Sequence, residues 1–416
     1  MTITPRWMEE AHQARSRRHH LLVALLGAAV GQAPDKRAAH CVLRSRLDWD
    51  VHKQTLLLEG QFKRCYRMDV ESFERLLRIN RPALLRDEVQ STLRTGMGPI
   101  TSENMLQMTI SWLAGSNYHT TRGLAGISVS GIYGVMHDVM DAIIACPELR
   151  IRSPTESKEH MMETADDFTS ISKYGILTGC VGCVDGWLCQ IRAPSSNEVP
   201  GVAAFFPGHY QMYGLNVQAI CDAYSRFTGY CINSPGKVGD SIAVKKWALS
   251  KEIMELPHGF YIVGDNAYPL SDSQLVPFTK LELKSKAHSD YNFYLGQLRI
   301  RIEMAFGLLV NKWQIFKRPL VVDFVKVRKV VKTCMKIHNF CINERLKDKD
   351  ATSGMHAVSM EYHALPESSY QTTENTDEGD ILRPDVQGRI LCEVIAATSR
   401  TLTCCGLAHA ATSGYH

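Results

Sequence analysis

The chain lacks any apolar stretch long enough to cross a bilayer, any internal repeat, any regular cysteine framework and any large net charge. Each absence removes a class of protein. The longest apolar run, LLVALLGAAVG at residues 21–31, falls well short of the roughly 20 residues a spanning helix needs. It follows RSRRHH and reads first as an amphipathic or buried helix, with a cleaved targeting segment as the second reading; a soluble protein is expected. Thirteen cysteines, an odd number at irregular spacing, do not make a secreted disulfide scaffold, and a reducing compartment follows. Forty-seven basic and 43 acidic residues leave a formal charge of only +4, which alone argues for no polyanionic partner. The distribution is less even: residues 281–345 hold eight Lys and five Arg against three Glu and two Asp, a net +8.

What is present is enough core for several structural units, with 416 residues of which 45% are hydrophobic. Four regions separate by texture. Residues 1–47 form an N-terminal segment, 48–165 a helical unit, 178–345 a mixed α/β unit, and 346–416 a polar tail. Its KDKDATSG and PESSYQTTENTDEGD stretches read as mostly disordered, with one helical pattern in DVQGRILCEVIAATSR. In VESFERLLRI, Phe73, Leu76, Leu77 and Ile79 follow the helical repeat, and Pro82 is expected to end that helix. Further on, Thr101 or Ser102 can cap a helix ending near Gly115. A short helix follows at 119–125, the Gly126-Ile127-Ser128 turn comes next, and a helix from about Ser130 to Ile143 completes the set. That is helix-turn-helix spacing, though an ordinary bundle with a glycine turn gives the same pattern. The last of these helices carries His137 and no Arg or Lys, so base or phosphate contacts from it are not expected.

Strands are expected in GCVGCVDGWLCQI, LNVQAICDAY, FTGYCINS and GFYIVG. Asp185 closes the first in CVDG and Asp265 closes the last in IVGD, while Glu303 lies in the helical run RIRIEMAFGLLVNKW. Alone, Asp265 in its Gly-Asp-Asn turn is an ordinary turn residue, Glu303 a residue at a helix-face boundary, and Asp240 in GDSIAVKKW a helix N-cap. Together, two Asp at adjacent strand ends and a Glu on a crossing helix are what phosphodiester hydrolysis uses. Carboxylates hold two divalent ions about 3.5–4 Å apart, one at the attacking and one at the leaving oxygen. Mg²⁺ suits such ligands, and Mn²⁺ also takes oxygen donors.

VDGW, LNVQAICDAYSRF, GKVGDS, YIVGDNAYP, RIRIEMAFGLLVNKW and CMKIHNF, in this order over residues 180–344, resemble the nuclease domain of PIF/Harbinger-type transposases and the Harbinger transposase-derived nucleases. QFKRCYRMDVESFERLL resembles the leader region of that family. The resemblance implies an RNase H-like mixed sheet with helices on both faces, preceded by the helix-turn-helix-like region. It carries Asp185, Asp265 and Glu303 over as a DDE catalytic triad binding two Mg²⁺ or Mn²⁺, with Asp240 as a further acid at the metals. It also implies DNA as substrate, a Myb-like DNA-binding partner protein, a homo-oligomer and a nuclear location, with the cytoplasm as a second compartment. Some positions depart from the family pattern. FFPGHYQMYG stands where a basic Asn-Arg-Lys stretch is usual, so a phosphate contact is lost or passes to His209. Gly239, Ala267 and Met304 replace residues more usual there.

Two other constellations compete for attention. Cys180 and Cys183 make a CxxC, and Cys334, His338 and Cys341 lie at helical spacing, which suggests zinc. An odd offset on a strand points Cys180 and Cys183 to opposite faces, so buried thiols and a hydrogen-bonded core His are the simpler reading. Arg299 near Glu303 and Lys312, Lys317 and Arg318 after it form either a solvated basic face or a phosphate-contacting surface. The run KVRKVVKTCMK reads as an amphipathic helix that could also aid nuclear import. The function expected is metal-dependent DNA phosphodiester cleavage, with or without strand transfer. The alternatives are a domesticated, non-catalytic DNA- or protein-binding factor keeping the fold, and a related nuclease acting on RNA.

Overall fold

Asp48 adopts an extended backbone and its carboxylate accepts from the Asp50 and Val51 amides, which starts the first helix. In the computed structural model, residues 45–95, 98–208 and 210–352 are described. The apolar run at 21–31, His209 and the helical pattern near the C-terminus lie outside them. Helices α1 (Trp49–Leu58), α2 (Phe62–Tyr66) and α3 (Val70–Leu84) bring Trp49, Phe62, Tyr66 and Phe73 into one aromatic nest. Within it the Trp49 and Phe73 rings stack at 5.1 Å. α3 does not stop at Pro82 as expected; it runs on to Leu84. Proline loses its own ladder hydrogen bond and crowds the carbonyl four residues back, and burying Leu84 holds the last turn in place.

After α4 (Glu88–Thr95), α5 (Ser102–Leu113) begins at its Thr101 cap, and α6 (Tyr118–Ala125) ends on Gly126 in the left-handed region, φ 64°. α7 (Val129–Ala145) then leaves at 97° to α6, capped by Ser128. The three helices and the tight turn stand where the sequence placed them. α7 buries Ile132, Val135, Met136, Val139, Met140 and Ile143. Two of its acids, Asp138 and Asp141, pair outward with Arg86 and Lys329. A helix packed and charged in this way is a poor reader of phosphate or base edges. Among the described residues no single helix is long and apolar enough to cross a membrane.

α8 (Lys158–Ile171) leads into a five-stranded mixed sheet: β1 (Cys180–Gln190), β2 (Gly214–Cys221), β3 (Phe227–Pro235), β4 (Tyr261–Val263) and β5 (Gln274–Leu275). The order is β3-β2-β1-β4-β5; β1–β2 and β2–β3 are antiparallel, β1–β4 and β4–β5 parallel. The two-residue β5 carried no usable sequence pattern. Between β3 and β4 lie α9 (Asp240–Lys245) and α10 (Ala248–Met254); α11 (Lys286–Lys312) and α12 (Phe324–Thr352) follow the sheet. α12 carries eight residues past Glu344, into the segment whose composition reads as disordered.

Alternation along the strands divides the core. Val184 and Ile220 pack with Val244 and Trp247 from the α9–α10 segment and with Met161 of α8. Cys183, Ala219 and Cys221 join Leu298, Ile302 and Phe306 of α11. Each such apolar side chain, fully buried, contributes about 1.5–3 kcal/mol, and this fixes α11 across the sheet. The larger core continues from these residues into α1–α7.

Cys180 and Cys183 are not on opposite faces. The register shifts between Cys180 and Gly182, and this irregularity brings the two thiols into mutual hydrogen-bond contact. Cys183 Sγ also donates to the Leu298 carbonyl at 3.1 Å.

Candidate active site

Asp185 does not close its strand; β1 runs on to Gln190, paired with β2 throughout. Gly186 is an in-line strand residue opposite Gln218. A Cβ there would collide with Asp240 Oδ1 and lie 2.6 Å from Gln218 Nε2, so the glycine makes room for the acid above it. Asp265 follows β4 by two residues, at the end of the parallel partner of β1. Its carboxylate accepts from the Ala267 amide at 3.0 Å, so the turn role exists alongside any other. Glu303 lies in the middle of α11 and pairs with Arg299 one turn earlier at 2.8 Å.

Asp240 is not a helix cap. Gly239 occupies the cap position without a side chain to offer, and Asp240 is the first helical residue. Its Oδ1 instead accepts from Asn216 Nδ2 at 2.8 Å and Gln218 Nε2 at 2.7 Å. Gln218 is further fixed by Tyr268, whose buried hydroxyl donates to Gln218 Oε1 at 2.6 Å. The isolated sequence gave this support no name, yet a signal was there. In LNVQAIC, Asn216 and Gln218 are the polar residues of a fully buried strand and, two apart, share a face.

The electrostatics tie the four acids together. Burial pushes the Asp185 carboxyl up to about 8, and the charges of Asp265 and Asp240 add to it; the Gly186 amide and Arg299 oppose. Asp265 is also raised, chiefly by burial, with contributions from Asp240 and Glu303 against the Ala267 amide and Arg299. Asp185, Asp240 and Asp265 all raise the Tyr268 phenol, after burial itself. Acids pushed up by burial and, after it, by like-charged neighbours are what a site arranged for a ligand or a reaction shows.

Among the described residues, no three acidic, His or Cys groups converge closely enough to hold an ion as placed. The reasons are visible: Glu303 is turned to Arg299 and Asp240 is clamped by two amides. The donor set nevertheless fits a hard divalent cation, being entirely carboxylate oxygen, and Asp185 and Asp265 carry a repulsion that a cation would relieve.

Other expected residues are placed as follows. Lys312 turns inward, its ammonium hydrogen-bonded to Cys341. Lys317 and Arg318 are exposed beyond α11, Arg318 reaching the Gly115 carbonyl at 3.5 Å. Trp313 is fully buried. His338 Nε2 donates to the Ser225 carbonyl at 2.9 Å, and its ring lies tilted against Phe227.

Residues 184–339 match the family model described as DDE superfamily endonuclease. The stretch begins one residue before Asp185 and contains Asp240, Asp265 and Glu303. No curated protein and no solved structure matches the chain.

Proposed function

We propose that this domain is a metal-dependent DDE endonuclease of the PIF/Harbinger transposase type, with an RNase H-like sheet and with Asp185, Asp265 and Glu303 as its catalytic acids. The observation that carries the reading is the electrostatic coupling of Asp185, Asp265, Asp240 and Glu303 across β1, the end of β4, the start of α9 and α11. The strand order, three antiparallel strands followed by two parallel ones, supports the fold assignment.

A bound Mg²⁺ or Mn²⁺ pair supplies positive charge at the scissile phosphate and acidifies the attacking water. The residues of this chain do the rest. Burial and the charges of Asp265 and Asp240 favour a protonated Asp185 while no cation faces it, and a cation held there would favour the carboxylate. The Ala267 amide fixes the Asp265 carboxylate at the strand end. Asn216, Gln218 and Tyr268 hold Asp240 over Gly186, where it adds negative charge to the Asp185 side. Glu303 is paired with Arg299, and it would have to turn from that pair to join a bound cation. Arg299, Lys317 and Arg318 are the proposed DNA phosphate contacts around this site, while Lys312, turned to Cys341, and His209, outside the described residues, carry no such argument. DNA as substrate, a Myb-like partner, a homo-oligomer and a nuclear location belong to the same reading.

Mg²⁺-dependent nicking of supercoiled duplex DNA tests it, with an RNA substrate run alongside. Asp185→Asn or Asp265→Asn is expected to abolish nicking, and undiminished activity in either variant contradicts the assignment. The ion pair that occupies Glu303 favours a second reading, a non-catalytic DNA-binding factor. That reading prevails if calorimetry finds no Mg²⁺ or Mn²⁺ binding while duplex DNA is still retained at low salt.

A further inference from the structure

The KVRKVVKTCMK run lies on α12, and its cations fall into two sets. Lys326 and Lys329 are neutralised, by Asp323 and Asp141, each at 2.7 Å. Arg328, Lys332 and Lys336 recur every four residues, on one helix face. Lys336 is 6% exposed, and its ammonium donates to the Ile144 carbonyl at 2.8 Å. Lys332 is half-buried and close enough to push the Lys336 pKa down beyond the effect of burial. Arg328 is exposed. Among the described residues neither Arg328 nor Lys332 has an acidic partner.

Lys332 and Lys336 face a cleft of about 480 Å³ at the outer edge of the sheet, where β3 is the terminal strand. Arg150, Thr228, Tyr230 and Trp247 also line it. The acid in its wall, Glu252, already accepts from Thr155 Oγ1 at 2.6 Å, and Arg150 is paired with Glu156. Thr228 is 7% exposed, and its hydroxyl has no hydrogen-bond partner. Two ammonium groups without an ion-pair partner among the described residues and an unpartnered buried hydroxyl, against the single Glu252 carboxylate, form a donor set for a polyoxyanion on this concave wall. Phosphate suits lysine point charges best.

We propose that this cleft binds a backbone phosphate of a nucleic-acid strand, which continues along α12 past Arg328. The site is distinct from the acids: β1, with Asp185, lies two strands inside the edge, roughly 10 Å away by strand spacing. The choice of a strand rests on the proposed action on DNA. A phosphorylated small molecule presents the same group, but the unneutralised row runs beyond the cleft to exposed Arg328, which a small ligand in the cleft would not use.

The test is equilibrium binding of the full chain to a fluorescent duplex and to its single strand, in EDTA, across a KCl series. The Arg328→Glu/Lys332→Glu variant is expected to bind at least about tenfold more weakly, with a salt slope shallower by about 1–2 units. The charge-matched Lys63→Glu/Arg64→Glu control, on α2, should change neither beyond twofold. Thr228→Val, which keeps the shape and removes the hydroxyl, is expected to lose affinity severalfold with an unchanged melting temperature. Wild-type affinity and slope in the Arg328→Glu/Lys332→Glu variant overturn the proposal, as does an equal loss in Lys63→Glu/Arg64→Glu. Inorganic pyrophosphate binding that depends on Lys332, in a protein that binds neither strand form, also overturns it and gives the cleft to a small molecule. EDTA removes cleavage from the assay, so Lys332-dependent strand binding in a protein that never nicks DNA would count against the nuclease reading alone.

Discussion

Asp185 on β1 and Asp222 at the end of β2 sit on neighbouring strands in similar local sequences, VDG and CDAY, and their surroundings are opposite. Burial raises the Asp222 carboxyl as well, but Arg226 and two amides oppose it. Its Oδ1 accepts from the Tyr224 and Arg226 amides at 2.9 Å each, and its Oδ2 takes the Arg226 guanidinium at 2.6 Å. Asp185 accepts from the amide of its neighbour Gly186 at 2.7 Å, and it faces the like charges of Asp265 and Asp240. One aspartate closes a hairpin; the other is left short of positive charge. A strand aspartate is thus assigned by what converges on it, not by the motif it sits in.

The largest expected effect sharpens this contrast. Asp185→Asn and Asp265→Asn should each lower metal-dependent nicking by about 10³-fold or more, comparable to losing a main electrostatic stabiliser of a transition state, while Asp222→Asn should leave nicking of the folded protein within a few-fold. His338 extends the satisfied class. Burial holds it neutral, down at about 4 from the usual 6.5, so the unfolded chain takes up a proton that the folded one refuses. Stability should therefore be intact above pH 6.5 and fall by about 3 kcal/mol as the pH drops through 6.5 towards 4. Urea unfolding at stepped pH measures it. Next, Asp222→Ala strands two amides and Arg226, and should cost about 2 kcal/mol in the same unfolding assay.

The smallest effect has the opposite sign and separates the two aspartates most cleanly. The folded state of ion-free Asp185 binds its proton up to about pH 8 against an ordinary value of 3.8, so its ionisation opposes folding increasingly as the pH rises between those values. Asp185→Asn removes that opposition. Its melting temperature without metal at pH 7–8 should rise by a few degrees, whereas every Asp222 variant should melt lower.

Much of this was legible in the chain. Strong periodicity and explicit caps gave α3, α5, α6 and α7, and β-branched runs gave β1 to β4. The misreadings share a cause, which is tertiary packing overriding local punctuation. Pro82 read as a helix end and Asp185 as a strand end, but a buried Leu84 and the need to seat Asp240 against β1 carry the chain through both. The CxxC alternation failed because a register shift is invisible in a strand pattern. Asp240 was named as a ligand or cap, yet its clamp by Asn216 and Gln218 depends on which face of β2 meets α9. The three acids read as a set because their order along the chain carries information that no single motif does.

The central claim is that Asp185 and Asp265 form a cation site. Calorimetric titration of Mn²⁺ into the metal-free protein at pH 7, repeated in buffers of different ionisation enthalpy, tests it most directly. The account predicts binding in the wild type accompanied by release of close to one proton, and loss of both in Asp185→Asn. No binding by the wild type, or the same binding and proton release in Asp185→Asn, would contradict it.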